Sequence, residues 1–122
     1  MTKKEFALSA IRPYYLDPST CGYEGNSCVY LTTDGRMCIL GKHMIDPGNW
    51  TKQDTAFNIF KSYLQKDVLK PKFVDILSRE EWGSLQFLHD TIARDGDNSH
   101  EQDIQNACVA LDLFTYEELI AP

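Results

Sequence analysis

Four residues in the first third of the chain carry side chains suited to a soft metal: Cys21, Cys28, Cys38 and His43. Zinc accepts thiolates and imidazoles in tetrahedral sets of this kind. Six, nine and four residues intervene between them. Structural zinc sites instead draw ligands in C-x-x-C pairs, because one tight turn can then aim two side chains at one ion. We therefore expect reduced thiols that fill a core, with no bound metal and no other cofactor. The alternative is a zinc-stabilised module using all four residues.

A second candidate chemistry is the His89-Asp90 pair, in which a carboxylate orients an imidazole, as a small hydrolase or nuclease would need. His89 also falls on an apolar helical stripe, where a packed and hydrogen-bonded histidine is commoner, so no catalytic residue is assigned beyond this pair. No phosphate-cradling loop, GxGxxG, HExxH or GxSxG occurs. "DGDNSHEQD" alternates oxygen donors at Asp95, Asp97, Ser99, Glu101 and Asp103 in the manner of a calcium loop. Its mechanics fail at His100, where the bend needs glycine, and at Asn106, where the bidentate glutamate belongs. It reads as a polar loop carrying a helix cap. Tyr14, Tyr15, Tyr23 and Trp50, beside or within loops, and the acids Glu101 and Asp103 are the candidate partner contacts.

The elements that must position these residues follow from local signals. Thr2 with Glu5 forms a capping box for a helix over about 3–11, limited by Pro13. "CVYLT" and "RMCIL" flank Asp34-Gly35 and predict a β-hairpin. A two-residue loop sets Leu31 opposite Cys38 and gathers Val29, Leu31, Cys38 and Leu40 on one face, the register we favour. A three-residue loop with a bulge at Gly35 sets Tyr30 opposite Cys38 and turns Cys28 and Cys38 the same way. Thr51 opens a helix to about Gln65 with a stripe of Phe57, Phe60, Tyr63 and Leu64. Ser78 and Glu81 cap another, with Trp82, Leu85, Leu88, His89 and Ile92 on one face and Gly96 as its stop. Ser99 and Gln102 open a helix presenting Ile104, Ala107, Cys108 and Leu111, and Thr115 with Glu118 starts a final turn. The expected class is α+β: a small antiparallel sheet based on the hairpin, packed against several amphipathic helices in one domain over 1–122.

Composition narrows function more than it defines it. The chain of 122 residues is 43% apolar and 25% charged, the balance of a folded globular domain. Its net charge of −6 is uneven: from Asp75 onward eleven acids face two arginines, a local −9, which leaves +3 elsewhere. Direct nucleic-acid binding through the acidic face is disfavoured, since phosphate contacts need cations. A basic protein, or a DNA-binding protein met by mimicry of DNA, suits that face better. The first twenty residues lack the apolar run of a secretion signal, and no segment has the apolar length of a membrane span. The expectation is a cytoplasmic protein with no membrane partner. An uncovered hairpin edge would leave a homodimer open.

The hairpin residues Cys28, Tyr30, Asp34, Gly35, Arg36, Cys38 and Gly41 make a C-x-Y…D-G-R-x-C-x-x-G pattern. Leu85, Gln86, His89 and Asp90 add an apolar-Q-x-x-H-D helix. Together they resemble a group of small uncharacterised proteins of bacteriophages and their bacterial hosts. That resemblance covers about half of the chain and implies a phage-type origin (hence the host cytoplasm) and a compact α+β domain, without an activity. The functional expectation is a small acidic accessory protein that binds a host protein, inhibiting a host enzyme or a defence system.

Overall fold

A computed structural model of the protein describes residues 1–24, 27–50, 59–60, 63–94 and 101–121, with only the backbone at 27–28 and 49–50. Among them are five α-helices: α1 (Lys3–Leu16), α2 (Gln65–Val68), α3 (Arg79–Arg94), α4 (Glu101–Leu111) and α5 (Tyr116–Ile120). Three of them start where the sequence supplies a Ser/Thr-x-x-Glu box. Thr2 Oγ1 accepts from the Glu5 N–H at 3.1 Å and Glu5 Oε1 from the Thr2 N–H at 3.2 Å. Ser78 and Glu81 repeat the exchange at 3.1 and 2.8 Å, and Thr115 and Glu118 at 3.1 and 2.9 Å. Each box satisfies two N–H groups that a helix start leaves without an intrahelical partner.

Helix α1 runs past its expected end, through Pro13 to Leu16. An internal proline removes a hydrogen bond and costs about 3 kcal/mol. Ile11 and Tyr14 are both fully buried, and the Tyr14 hydroxyl donates to the Met37 carbonyl at 2.6 Å. Burying two such side chains contributes about 1.5–3 kcal/mol each, enough to offset the proline.

The expected α+β class is overturned: the described residues are mainly helical. The one ladder among them is β1 (Tyr23–Glu24) against β2 (Ser27–Cys28), antiparallel and two residues long on each side. The Asp34-Gly35 turn does form, with Gly35 at φ 90° and the Thr32 N–H donating to the Arg36 carbonyl at 2.8 Å. Only Leu31 and Met37 bridge across it. This is the register of the three-residue loop, not the two-residue loop favoured from sequence, and pairing ends there.

The reason lies in residues 38–41. Cys38, Ile39 and Leu40 are all fully buried, whereas a strand with one solvent face would turn alternate residues outward. A turn satisfies them together: the Lys42 N–H donates to the Cys38 carbonyl and the His43 N–H to that of Leu40, both at 3.0 Å. Gly41 lies so close to Tyr30 that a Cβ there would stand 2.1 Å from the Tyr30 carbonyl oxygen.

Helix α3 is the central element, with Trp82, Leu85, Leu88 and Ile92 buried on the stripe its spacing predicts. It packs against α1 and α4, and α5 closes on both of these. Helix α4 buries Ile104, Ala107, Cys108 and Leu111, as expected. Residues 43–45 and 68–70 pair around a Met44–Leu69 bridge, with the Ile45 N–H on the Val68 carbonyl and the Lys70 N–H on that of His43, each 2.9 Å.

The helix expected from Thr51 falls largely outside the described residues, Phe57 included. Phe60 is buried, but Tyr63 and Leu64 of the same expected stripe are 49% and 63% exposed, because the chain has left the helix before them. Gly96, the expected stop of α3, and Ser99, the expected cap of α4, also lie outside. No helix among the described residues is long and apolar enough to cross a membrane.

Two glycine substitutions separate close approach from backbone conformation. Gly41→Ala must displace backbone, and we expect a loss of about 2–3 kcal/mol in urea unfolding. Gly35→Ala meets open space and bears only the left-handed φ, about 1 kcal/mol. Equal losses in the two variants would refute the packing described at Gly41.

Candidate functional site

Gln86, His89 and Asp90 occupy one turn of α3, at the i, i+3 and i+4 spacing that sets side chains on one helix face. His89 is fully buried. Its Nε2 accepts from the Gly22 N–H at 3.1 Å, so the ring carries its proton on Nδ1, which donates to Asp90 Oδ1 at 2.8 Å. Gln86 Nε2 donates to the same Asp90 oxygen at 2.7 Å, and Gln86 Oε1 accepts from the Leu40 N–H at 3.0 Å. The edge of Tyr14 meets the His89 ring at 4.7 Å between centroids, and Lys42 Nζ stands 4.4 Å from the Tyr14 ring centre. Arg36 Nε holds Asp34 at 3.0 Å while its Nη1 donates to the Cys21 carbonyl at 3.1 Å.

The predicted histidine–carboxylate pair is thus formed, but both ring nitrogens are spent on the protein's own groups. A general base must reach the proton it takes, and His89 presents no free lone pair to a substrate. The pair positions backbone. Gln86, which spacing alone did not mark as functional, is the member that binds Leu40.

Cys21 and Cys38 flank this cluster and are buried. Burial pushes both thiols up to about 12, with the Asp90 charge adding to the effect. Cys38 Sγ accepts from the Gly41 N–H at 3.2 Å, closing the turn that ends the hairpin. His43 lies elsewhere, in an aromatic box: Phe73 at 4.5 Å, Phe6 at 5.2 Å and Trp82 at 5.4 Å between ring centres. Its Nδ1 donates to the Ile39 carbonyl at 2.7 Å. The Cys28 side chain falls outside the described residues, and among those described no three His, Cys, Asp or Glu side chains gather as a metal site requires.

The candidate partner contacts divide. Tyr14 is core and Tyr23 is half-buried within β1. Trp50 has no described side chain. Tyr15 and Tyr116 both donate to the Glu101 carboxylate, Tyr15 at 3.3 Å to Oε2, so this carboxylate faces α1 and α5. Asp95, Asp97 and Ser99 of the calcium-like pattern lie outside the described residues. The hydrogen bond to Glu101, joined by the one to Tyr15, raises the Tyr116 hydroxyl well above the usual phenol range. Asp103 is exposed. Unmarked by any sequence motif is a cleft of about 280 Å³ between α4 and α5, lined by Gln105, Cys108, Val109, Asp112, Phe114, Thr115, Tyr116 and Glu117. Only the paired caps at Thr115 and Glu118 hinted at a helix end there.

No protein-family model, no curated protein and no solved structure matches the chain.

Removing the His89 ring orphans the Gly22 N–H and opens a cavity, so His89→Ala should lose about 2–4 kcal/mol in urea unfolding. Asp90→Asn retains an accepting oxygen and should lose about 1 kcal/mol. A neutral His89→Ala would refute the role given to the Gly22 hydrogen bond. A second expectation concerns acid. Burial, reinforced by the charges of Lys42, Lys70 and Lys72, lowers the His43 pKa from its ordinary 6.5 against the opposing hydrogen bond to Ile39. The folded state therefore binds this proton less readily than the unfolded chain. The stability His43 confers is present above the unfolded pKa and is lost as pH falls below it. Urea midpoints measured between about pH 7 and pH 5 should decline, with a shallower slope in His43→Gln. A slope unchanged by that substitution would refute the assignment.

Proposed function

We propose that the chain is a non-catalytic accessory protein of phage type that acts by binding a basic protein of the host and inhibiting it. The observation that carries this reading is the closed state of the acid–base pair that the sequence marks, His89-Asp90. His89 is buried, its Nε2 is capped by a backbone N–H and its Nδ1 is held by Asp90. The thiols near it, Cys21 and Cys38, are buried and protonated at neutral pH, so neither is an activated nucleophile. What the chain does present is charge. Asp103, Asp112 and Glu117 are exposed along and after α4, in a C-terminal half whose balance is strongly negative. Such a surface steers and selects a cationic partner. The resemblance of the Cys28–Gly41 and Leu85–Asp90 patterns to phage and host proteins supports the biological setting.

The full chain, tagged and exposed to host lysate, should retain a specific basic protein whose capture weakens as salt rises. The purified partner should lose its own activity when the chain is added at stoichiometric amounts. Turnover of any ester or phosphodiester by the chain that disappears in His89→Gln, with the fold retained by circular dichroism, would overturn the reading.

A further inference from the structure

We infer that the cleft between α4 and α5 receives a lysine or arginine side chain together with an apolar neighbour, both supplied by a partner protein. This rests on the binding reading above and names the surface that performs it. The cleft holds about 280 Å³. Pockets for drug-sized ligands begin near about 300 Å³, so one long side chain fits it better than a cofactor does.

Its walls divide by chemistry. Cys108, Val109, Phe114 and Tyr116 supply apolar surface, and Val109 is left 78% exposed. The Cys108 thiol, raised to about 11 by burial and by the Glu117 and Glu101 charges, is uncharged at neutral pH. Asp112 and Glu117 supply the negative wall, and neither carboxylate has an ion pair or hydrogen bond among the described residues. The C-terminus of α4 adds to it, because its last turn carries no basic residue to balance the partial negative charge of the helix end. A guanidinium or ammonium group on an aliphatic stem matches both walls at once.

The test is amide chemical-shift mapping on the full chain with three capped peptides: Ac-Leu-Arg-Leu-Arg-amide, Ac-Gly-Arg-Gly-Arg-amide and Ac-Leu-Glu-Leu-Glu-amide. The first should shift the amides of Cys108, Val109, Phe114 and Tyr116, and the other two should shift them far less. Val109→Arg, an exposed substitution that places a cation at the mouth, should weaken the first peptide about tenfold or more. Glu117→Gln should weaken it by a smaller factor. Equal response to the glycine–arginine peptide would overturn the apolar part of the proposal. Shifts elsewhere, no shift at millimolar peptide, or indifference to both variants would overturn the site. Concentration-dependent broadening of the same amides without peptide would reassign the occupant to a second copy. Catalytic turnover would sink the binding reading without touching these shifts. Host-protein capture unaffected by Val109→Arg would remove this cleft and leave that reading standing.

Discussion

Much of this fold depends on how the buried but irregular backbone at residues 21–22 and 38–41 satisfies its polar groups. A sheet would do so with a ladder, and here the ladder is two residues long on each side. A buried N–H left without an acceptor costs about 1–3 kcal/mol, a large share of the stability of a small domain. Helix α3 supplies acceptors from its own side chains: His89 takes the Gly22 N–H and Gln86 takes that of Leu40, while Asp90 fixes the orientation of both. Two contact points eighteen residues apart are thereby set by one turn of one helix. The turn around Asp34-Gly35 hangs between them.

The residues that look most chemical are used in the same manner. Tyr14 anchors the Met37 carbonyl and packs its ring on His89, and Cys38 accepts from Gly41. Arg36 gathers the carbonyls of Ser19 and Cys21. His43 closes an aromatic box through its hydrogen bond to Ile39. Polar side chains with directional needs, placed in a low-dielectric interior, specify where loop backbone goes more sharply than apolar contacts do. The surface of the C-terminal half carries exposed acids, Asp103, Asp112 and Glu117 among them.

Sequence reasoning reached the helices because their signals are local. The Thr2, Ser78 and Thr115 boxes and the three- and four-residue spacing of Trp82, Leu85, Leu88 and Ile92 need no knowledge of the rest of the chain. It also ranked a packed His89 above a catalytic one. It failed where distant residues decide. β-prone residues and a good turn predict the hairpin, but burial of Cys38, Ile39 and Leu40 together, and the contact of Gly41 with Tyr30, override that preference. Pro13 looks like a stop from local sequence because the burial of Tyr14 that offsets it is a tertiary fact. The cleft between α4 and α5 was illegible for the same reason, since its walls belong to separate elements and no spacing rule joins Val109 to Glu117.

The N-terminal lysines tie the start of α1 to the start of two other helices. Glu81, half of the box that opens α3, also receives Lys3 Nζ at 2.7 Å, and Glu118, half of the box that opens α5, pairs with Lys4. Nucleation of three helices is thus linked through the first turn of α1. Half-exposed pairs of this kind contribute little to stability, so fraying at one end weakens the caps of the others only slightly.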